Sequence, residues 1–143
     1  MENNTPTPCK NLSIIRIAPV CNGKIYVVPH VENKQLDLPL MKYTDNHFRK
    51  ECNKEAKLLT KNNYGITTSE EPRFSVRYVS PINKEEHVYL YILPLGKEDE
   101  VNFDEGKFIS ADDIENSQHL YSEYLQKESG LLEMAAELWR DYL

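Results

Sequence analysis

The chain has 143 residues, a formal net charge of −6 and 40% hydrophobic residues, which is typical of one globular domain and excludes disorder, coiled coil and collagen. Its longest apolar run, residues 88–95, is too short to cross a bilayer. Residues 1–11 are polar and contain two prolines, so we predict a flexible lead-in without a secretory signal, followed by a single domain over residues 12–143.

The distribution of charge limits the classes of partner that we expect, and the cysteine content limits the cellular compartment. Residues 1–72 hold ten Lys/Arg against eight Asp/Glu, whereas residues 73–143 hold seven against fifteen. Because no dominant basic stripe exists, we expect neither nonspecific nucleic-acid binding nor a membrane partner. Three widely spaced cysteines favour a cytoplasmic protein without a disulfide framework or a zinc site.

The N-terminal part predicts a β-hairpin. β-Branched residues predict a strand over Leu12–Ile17. Asn22-Gly23 predicts a tight turn, because both residues tolerate a positive φ. The return strand is predicted over Ile25–Val31, with Pro29 at an edge or a bulge.

A short strand and then a helix are predicted next. Gln35–Leu40 alternates apolar and polar residues and predicts a strand that ends in a loop. The helix is predicted from Thr44 or Asp45 to Asn62, and Gly65 ends it. Its buried face is predicted from apolar residues at helical spacing: Phe48, Cys52, Ala56 and Leu59.

The second half begins with strands. Phe74–Val79 and His87–Leu93 predict two strands joined by a turn around Asn83. Lys107–Ile109 predicts a short strand after a polar loop. The following Ser110-x-x-Asp113 is similar to the capping box that starts a helix.

Three short stretches stand out in this order of elements: Leu38-Pro39, Tyr64-Gly65-Ile66 and residues 107–114. Together they resemble the Nudix hydrolase family. Leu38-Pro39 stands where the family has Leu-Pro-Gly-Gly, although Leu40-Met41 replaces the glycine pair. Tyr64-Gly65-Ile66 matches the end of the family motif, and residues 107–114 resemble its late strand and turn. The resemblance covers residues 12–142 and implies an α+β fold, an α/β/α sandwich with a mixed sheet.

The catalytic part of that motif is not matched. The family motif is G-x5-E-x7-R-E-U-x-E-E-x-G-U, and its glutamates bind divalent cations. Anchoring it on Gly65 places residues that are not acidic at every glutamate position: Lys50, Leu59, Asn62 and Asn63. Residues 46–61 also carry five Lys/Arg against two Glu, whereas Mg²⁺ needs several oxygen ligands. We therefore expect no catalytic residues and no cofactor, and favour a non-catalytic ligand-binding or regulatory module for a small anion.

A shifted register gives an alternative. Residues 50–55 loosely match R-E-U-x-E-E, and His47, Glu51 and Glu55 then share one helix face as weak candidate ligands of Mg²⁺ or Mn²⁺. With Glu70 or Glu71 they could form a hydrolase of nucleoside diphosphate-linked compounds. No glycine follows Glu55, however, and such charged faces are more often only solvated.

The C-terminal segment raises a third hypothesis. Ser117–Leu143 predicts a helix, in which Gly130 marks a kink or a break. Its stripe could form a homodimer or bind a partner protein, although amphipathic helices more often pack on their own sheet. The stripe is Tyr121, Tyr124, Leu138, Trp139 and Tyr142.

Overall fold

A computed structural model describes residues 12–30, 34–43, 49–62, 65–66, 68, 70–101 and 105–142. The predicted lead-in, the N-terminal end of the predicted helix and the buried position predicted for Phe48 lie outside the described residues. In chain order the elements are β1 Leu12–Cys21, β2 Lys24–Pro29, β3 Leu36–Asp37, β4 Leu40–Tyr43, α1 Arg49–Asn62, β5 Arg73–Val79, β6 Glu86–Pro94, β7 Lys107–Ile109, α2 Ala111–Asn116 and α3 Glu123–Tyr142.

The described strands form one mixed sheet, as the family resemblance implied. Its order is β3-β2-β1-β6-β5, and the short strands β4 and β7 pair with β1 and β2. β1 runs parallel to β6 and antiparallel to β2 and β4. The hairpin turn is confirmed, because Asn22 and Gly23 both have positive φ (53° and 77°).

Two predicted elements needed correction. Residues 41–43, expected as loop, belong with Leu40 to strand β4, which pairs with residues 13–16 of β1. The final helix was predicted from Ser117 but begins at Glu123, because Ser122 caps it by accepting the Leu125 N–H at 3.2 Å. α3 then continues without a break through Gly130.

Helices pack on both faces of the sheet. Along β1, Ile15 and Ile17 point to one face, where they pack with the predicted buried face of α1: Cys52, Ala56 and Leu59. Ala18 and Val20 point to the other face, where they pack with residues of α2 and α3. This confirms the predicted α/β/α arrangement, with α1, α2 and α3 of the described residues around a mixed sheet.

A charged network lies inside the α3 face. Arg16, in the middle of β1, has 0% exposure, and its Nε and Nη2 donate to the two Glu128 carboxylate oxygens at 3.0 and 2.7 Å. Its Nη1 lies 2.8 Å from Asp37 Oδ1, an ion-pair distance at an angle outside hydrogen-bond geometry. The Tyr124 ring stacks under the guanidinium at 4.8 Å.

Hydroxyl groups complete this network. Tyr78 donates to Glu128 Oε2 at 2.6 Å, and Ser122 donates to Asp37 Oδ1 at 2.8 Å. Burial alone would lower the pKa of Arg16, but Asp37 and Glu128 outweigh it and raise the pKa above its ordinary value. The arginine therefore stays charged and joins β1, β3 and α3.

We predict that Glu128→Gln lowers the free energy of unfolding by about 3–5 kcal/mol, because it removes one partner of a buried ion pair. Denaturant unfolding followed by circular dichroism measures this change. The control is Glu115→Gln, the same substitution at an exposed position of α2, which should stay within about 0.5 kcal/mol. Equal stability of the two variants would contradict a structural role for the network.

Candidate functional site

The end of α1 shapes a cavity beside the helix. Gly65 has a φ of 57°, which glycine adopts without strain, and this turns the chain back along the helix. The Ile66 N–H donates to the Thr60 carbonyl at 3.3 Å, and Ile66 is buried and bridges to Val101. The predicted stop at Gly65 is therefore confirmed, and Ile66, Thr68 and residues 70–72 line a cavity together with residues of α1.

This α1 cavity has a volume of about 230 Å³. Its walls offer two ammonium groups, two hydroxyl groups and two carboxylates. The lining residues are Lys57, Thr60, Lys61, Ile66, Thr68, Glu70, Glu71 and Pro72. The Thr60 hydroxyl donates its proton to the Ala56 carbonyl at 2.9 Å, so its oxygen can still accept a hydrogen bond from a ligand.

Both carboxylates of the α1 cavity are paired with cations. Glu71 Oε1 lies 2.5 Å from Lys57 Nζ, and Glu70 Oε1 lies 3.1 Å from Arg73 Nη2. The hydrogen bond from Lys57 is the largest cause of the lowered pKa of Glu71, and Lys61 and Arg73 lower it further. The cationic neighbours therefore favour the charged form of the Glu71 carboxyl.

The residues of the shifted-register hypothesis are only partly brought together. Glu70 and Glu71 line the α1 cavity, whereas Glu55 is half-buried elsewhere on α1. Glu51 lies in α1, but its side chain is outside the described part of the structure, as is all of His47. Within the described residues, no three His, Cys, Asp or Glu side chains gather into a group that could hold a metal ion.

The described part of the Gly65-anchored register does not fit Mg²⁺. Leu59, at a glutamate position, is only 3% exposed and packs in the apolar core, and its neighbour Leu58 carries no ligand atom. Leu40 and Met41, at the glycine-pair positions, are part of β4. These side chains supply no oxygen ligand, whereas Mg²⁺ binds oxygen ligands.

A second cavity, of about 180 Å³, opens on the α3 face. It is lined by His30, Gln35, Asp37, Leu40, Lys42, Ile82, Ser122, Glu123 and Tyr124. Asp37 and Tyr124 also belong to the buried network, which sequence reasoning missed. The available signal was a charged residue inside an apolar strand, because Arg16 lies between two isoleucines.

The C-terminal aromatic stripe mostly packs within its own chain. Tyr121 and Tyr124 are buried, and Trp139 packs partly buried on the core, with Arg73 4.9 Å above its ring. Leu138 stays exposed, and the side chain of Tyr142 is not described. No helix among the described residues is long and apolar enough to span a membrane.

The fold is shared with solved structures of Nudix hydrolases. A NUDIX-family hydrolase from Clostridium perfringens is 12% identical, with a TM-score of 0.56 over 92% of this chain and 97% of its own. The Ap4A hydrolase of C. elegans is 13% identical, with a TM-score of 0.62 over 89% of this chain and 98% of its own.

A third structure, a bifunctional NMN adenylyltransferase/ADP ribose pyrophosphatase from Francisella tularensis, is 14% identical, with a TM-score of 0.66 over 89% of this chain and 42% of its own. No protein-family model matches the chain, and no curated protein sequence gives a significant match. At these identities the comparisons establish the fold alone: the chain has a Nudix-like fold.

We predict that the Glu71 carboxyl titrates below the ordinary range of glutamate, and that Lys57→Gln moves its midpoint back upward. Because folding lowers the pKa of Glu71, this exposed pair contributes a small stabilisation at pH values above the ordinary glutamate pKa. That contribution is lost as the pH falls through the lowered pKa of the folded state. Carboxyl NMR titration measures both midpoints. A Lys84→Gln control, in the turn before β6, should leave the midpoint unchanged.

Proposed function

We propose that the chain is a non-catalytic Nudix-like module that binds a small phosphate-bearing anion in the α1 cavity. The supporting observation is the pair Lys57 and Lys61, one helical turn apart on the cavity wall. They lie on the helix whose counterpart in the family motif carries glutamates. Ammonium groups at this position favour an anion directly, without a bridging metal.

The charges around the α1 cavity favour an anion. The lining itself balances two lysines against Glu70 and Glu71, and Arg73, which pairs with Glu70 from outside the lining, brings the local net charge to +1. The Lys57–Glu71 pair is solvent-exposed, and such pairs contribute little free energy. A phosphate can therefore displace the Glu71 carboxylate from Lys57 and gain a charge-assisted hydrogen bond.

The size of the α1 cavity suits the phosphate part of a larger ligand. Its volume of about 230 Å³ is below that of a pocket enclosing a whole drug-sized molecule. Two of the fold neighbours are named for Ap4A and ADP-ribose, in which phosphates link nucleosides or sugars. Ligands of this class supply a phosphate for the cavity and leave their nucleosides outside it.

Calorimetric titration with ADP-ribose, Ap4A and inorganic pyrophosphate, without divalent cations, tests the proposal. We expect binding that Lys61→Gln weakens by about tenfold, since one charge-assisted hydrogen bond is lost. Glu71→Gln should tighten binding, because it releases Lys57. Lys84→Gln, which removes the same charge far from the cavity, should bind like the wild type.

The hydrolase alternative predicts a different result. With Mg²⁺ or Mn²⁺ added, release of a phosphorylated product that Glu51→Gln abolishes would replace our proposal with the shifted carboxylate set. If none of the three probes binds in any condition, the anion-binding proposal is wrong.

A further inference from the structure

Two exposed helix stripes face away from each other on opposite sides of the sheet. The α1 stripe consists of Lys54, Lys57, Leu58 and Lys61, which are exposed and spaced along one side of the helix. The α3 stripe consists of Gly130, Glu133, Met134, Glu137 and Leu138, which are exposed at the same spacing. Because α1 and α3 pack on opposite faces, the two stripes point in opposite directions.

The α3 stripe exposes apolar surface. Met134 is 72% exposed and Leu138 is 50% exposed, and they are neighbours one helical turn apart. Single exposed apolar residues are ordinary on protein surfaces, but here two adjoin on a stripe that also contains an exposed glycine. This combination is typical of a contact surface.

Gly130 has no packing reason within its own chain. It lies inside α3, where glycine destabilises a helix relative to alanine. A Cβ placed there would meet no atom within 4 Å, so the chain's own packing does not require its absence. A second helix that approaches α3 closely would require it.

The charges of the two stripes indicate which surface packs on the α3 stripe. The α3 stripe carries Glu133 and Glu137, so pairing two α3 stripes would bring four carboxylates together. The α1 stripe carries three lysines and Leu58, which complement the acidic and apolar groups of the α3 stripe. We propose that copies of this chain associate head to tail, the α1 stripe of one copy packing on the α3 stripe of the next.

Such a contact is heterologous. Since the two stripes lie on opposite faces, each added copy presents a fresh stripe, and the assembly extends instead of closing as a two-fold dimer. The α1 stripe shares Lys57 and Lys61 with the proposed anion site, so the test uses apolar positions that lie outside that site. Leu58 and Met134 line neither of the two cavities described above, so variants at these positions test association without changing the α1 cavity.

Sedimentation velocity of the full chain from about 10 µM to about 1 mM, a range that brackets weak association, tests the proposal. The wild-type mass should rise with concentration past that of a dimer, and less so at high salt. Leu58→Glu and Met134→Lys should each remain monomeric. Leu120→Glu, the matched control at an exposed position on neither stripe, should associate like the wild type.

An equimolar mixture of the two variants gives the sharpest result. It retains one intact contact, between the α1 stripe of Met134→Lys and the α3 stripe of Leu58→Glu. We therefore expect a 1:1 dimer that does not grow. Association that Met134→Lys abolishes and Leu58→Glu leaves intact would indicate α3–α3 pairing and overturn the proposal, as would a wild-type monomer at about 1 mM.

Gly130→Ala separates association from folding. It should raise the thermal midpoint of the monomer by roughly 3 °C, through helix propensity. It should also weaken association by about fivefold or more, because a methyl group enters a close contact. A variant that is more stable and associates more tightly would contradict the proposed approach at Gly130.

Discussion

The rest of the fold depends on the ion pairs of the fully buried Arg16. Its partners Asp37 and Glu128 come from β3 and α3, so the charge is satisfied only when three distant segments meet. An arginine left without one partner in this interior would cost several kcal/mol, whereas apolar residues would pack here at no such risk. We interpret the network as a device that fixes the register of β1 against β3 and α3.

The register of β1 also determines which of its side chains lie on the opposite face of the sheet, toward α1. Side chains alternate along a strand, so Arg16 on the α3 face places Ile15 and Ile17 toward α1. A slip of one residue would press the guanidinium against the apolar side of α1. The chemistry of the two faces therefore differs: carboxylates are enclosed beneath α3, whereas α1 is apolar inside and cationic outside.

Local signals predicted most of the elements, and long-range pairing accounts for the missed strand. The Asn22-Gly23 turn, the buried face of α1 and strand β7 follow from residues close in sequence. β4 was missed because its strand character comes from pairing with β1. The Arg16–Glu128 contact spans 112 positions, so no local pattern reveals it. The α1 cavity was only half predicted, since Glu70-Glu71 and the basic helix were both noted but the pairing of Lys57 with Glu71 was not.

The matches to the Nudix motif divide by physical role. Gly65 supplies a positive φ, Ile66 and Leu38 are buried, and the Pro39 carbonyl accepts the Ile17 N–H at 2.9 Å. Each of these residues maintains the scaffold, whereas the motif glutamates, whose role is chemical, have no counterpart in that register. At Leu59 a carboxylate would have to enter the packed core, so restoring the motif would require α1 to repack and not a single substitution. This division, with lysines on the outer face of α1, supports our proposal of an anion site without a metal.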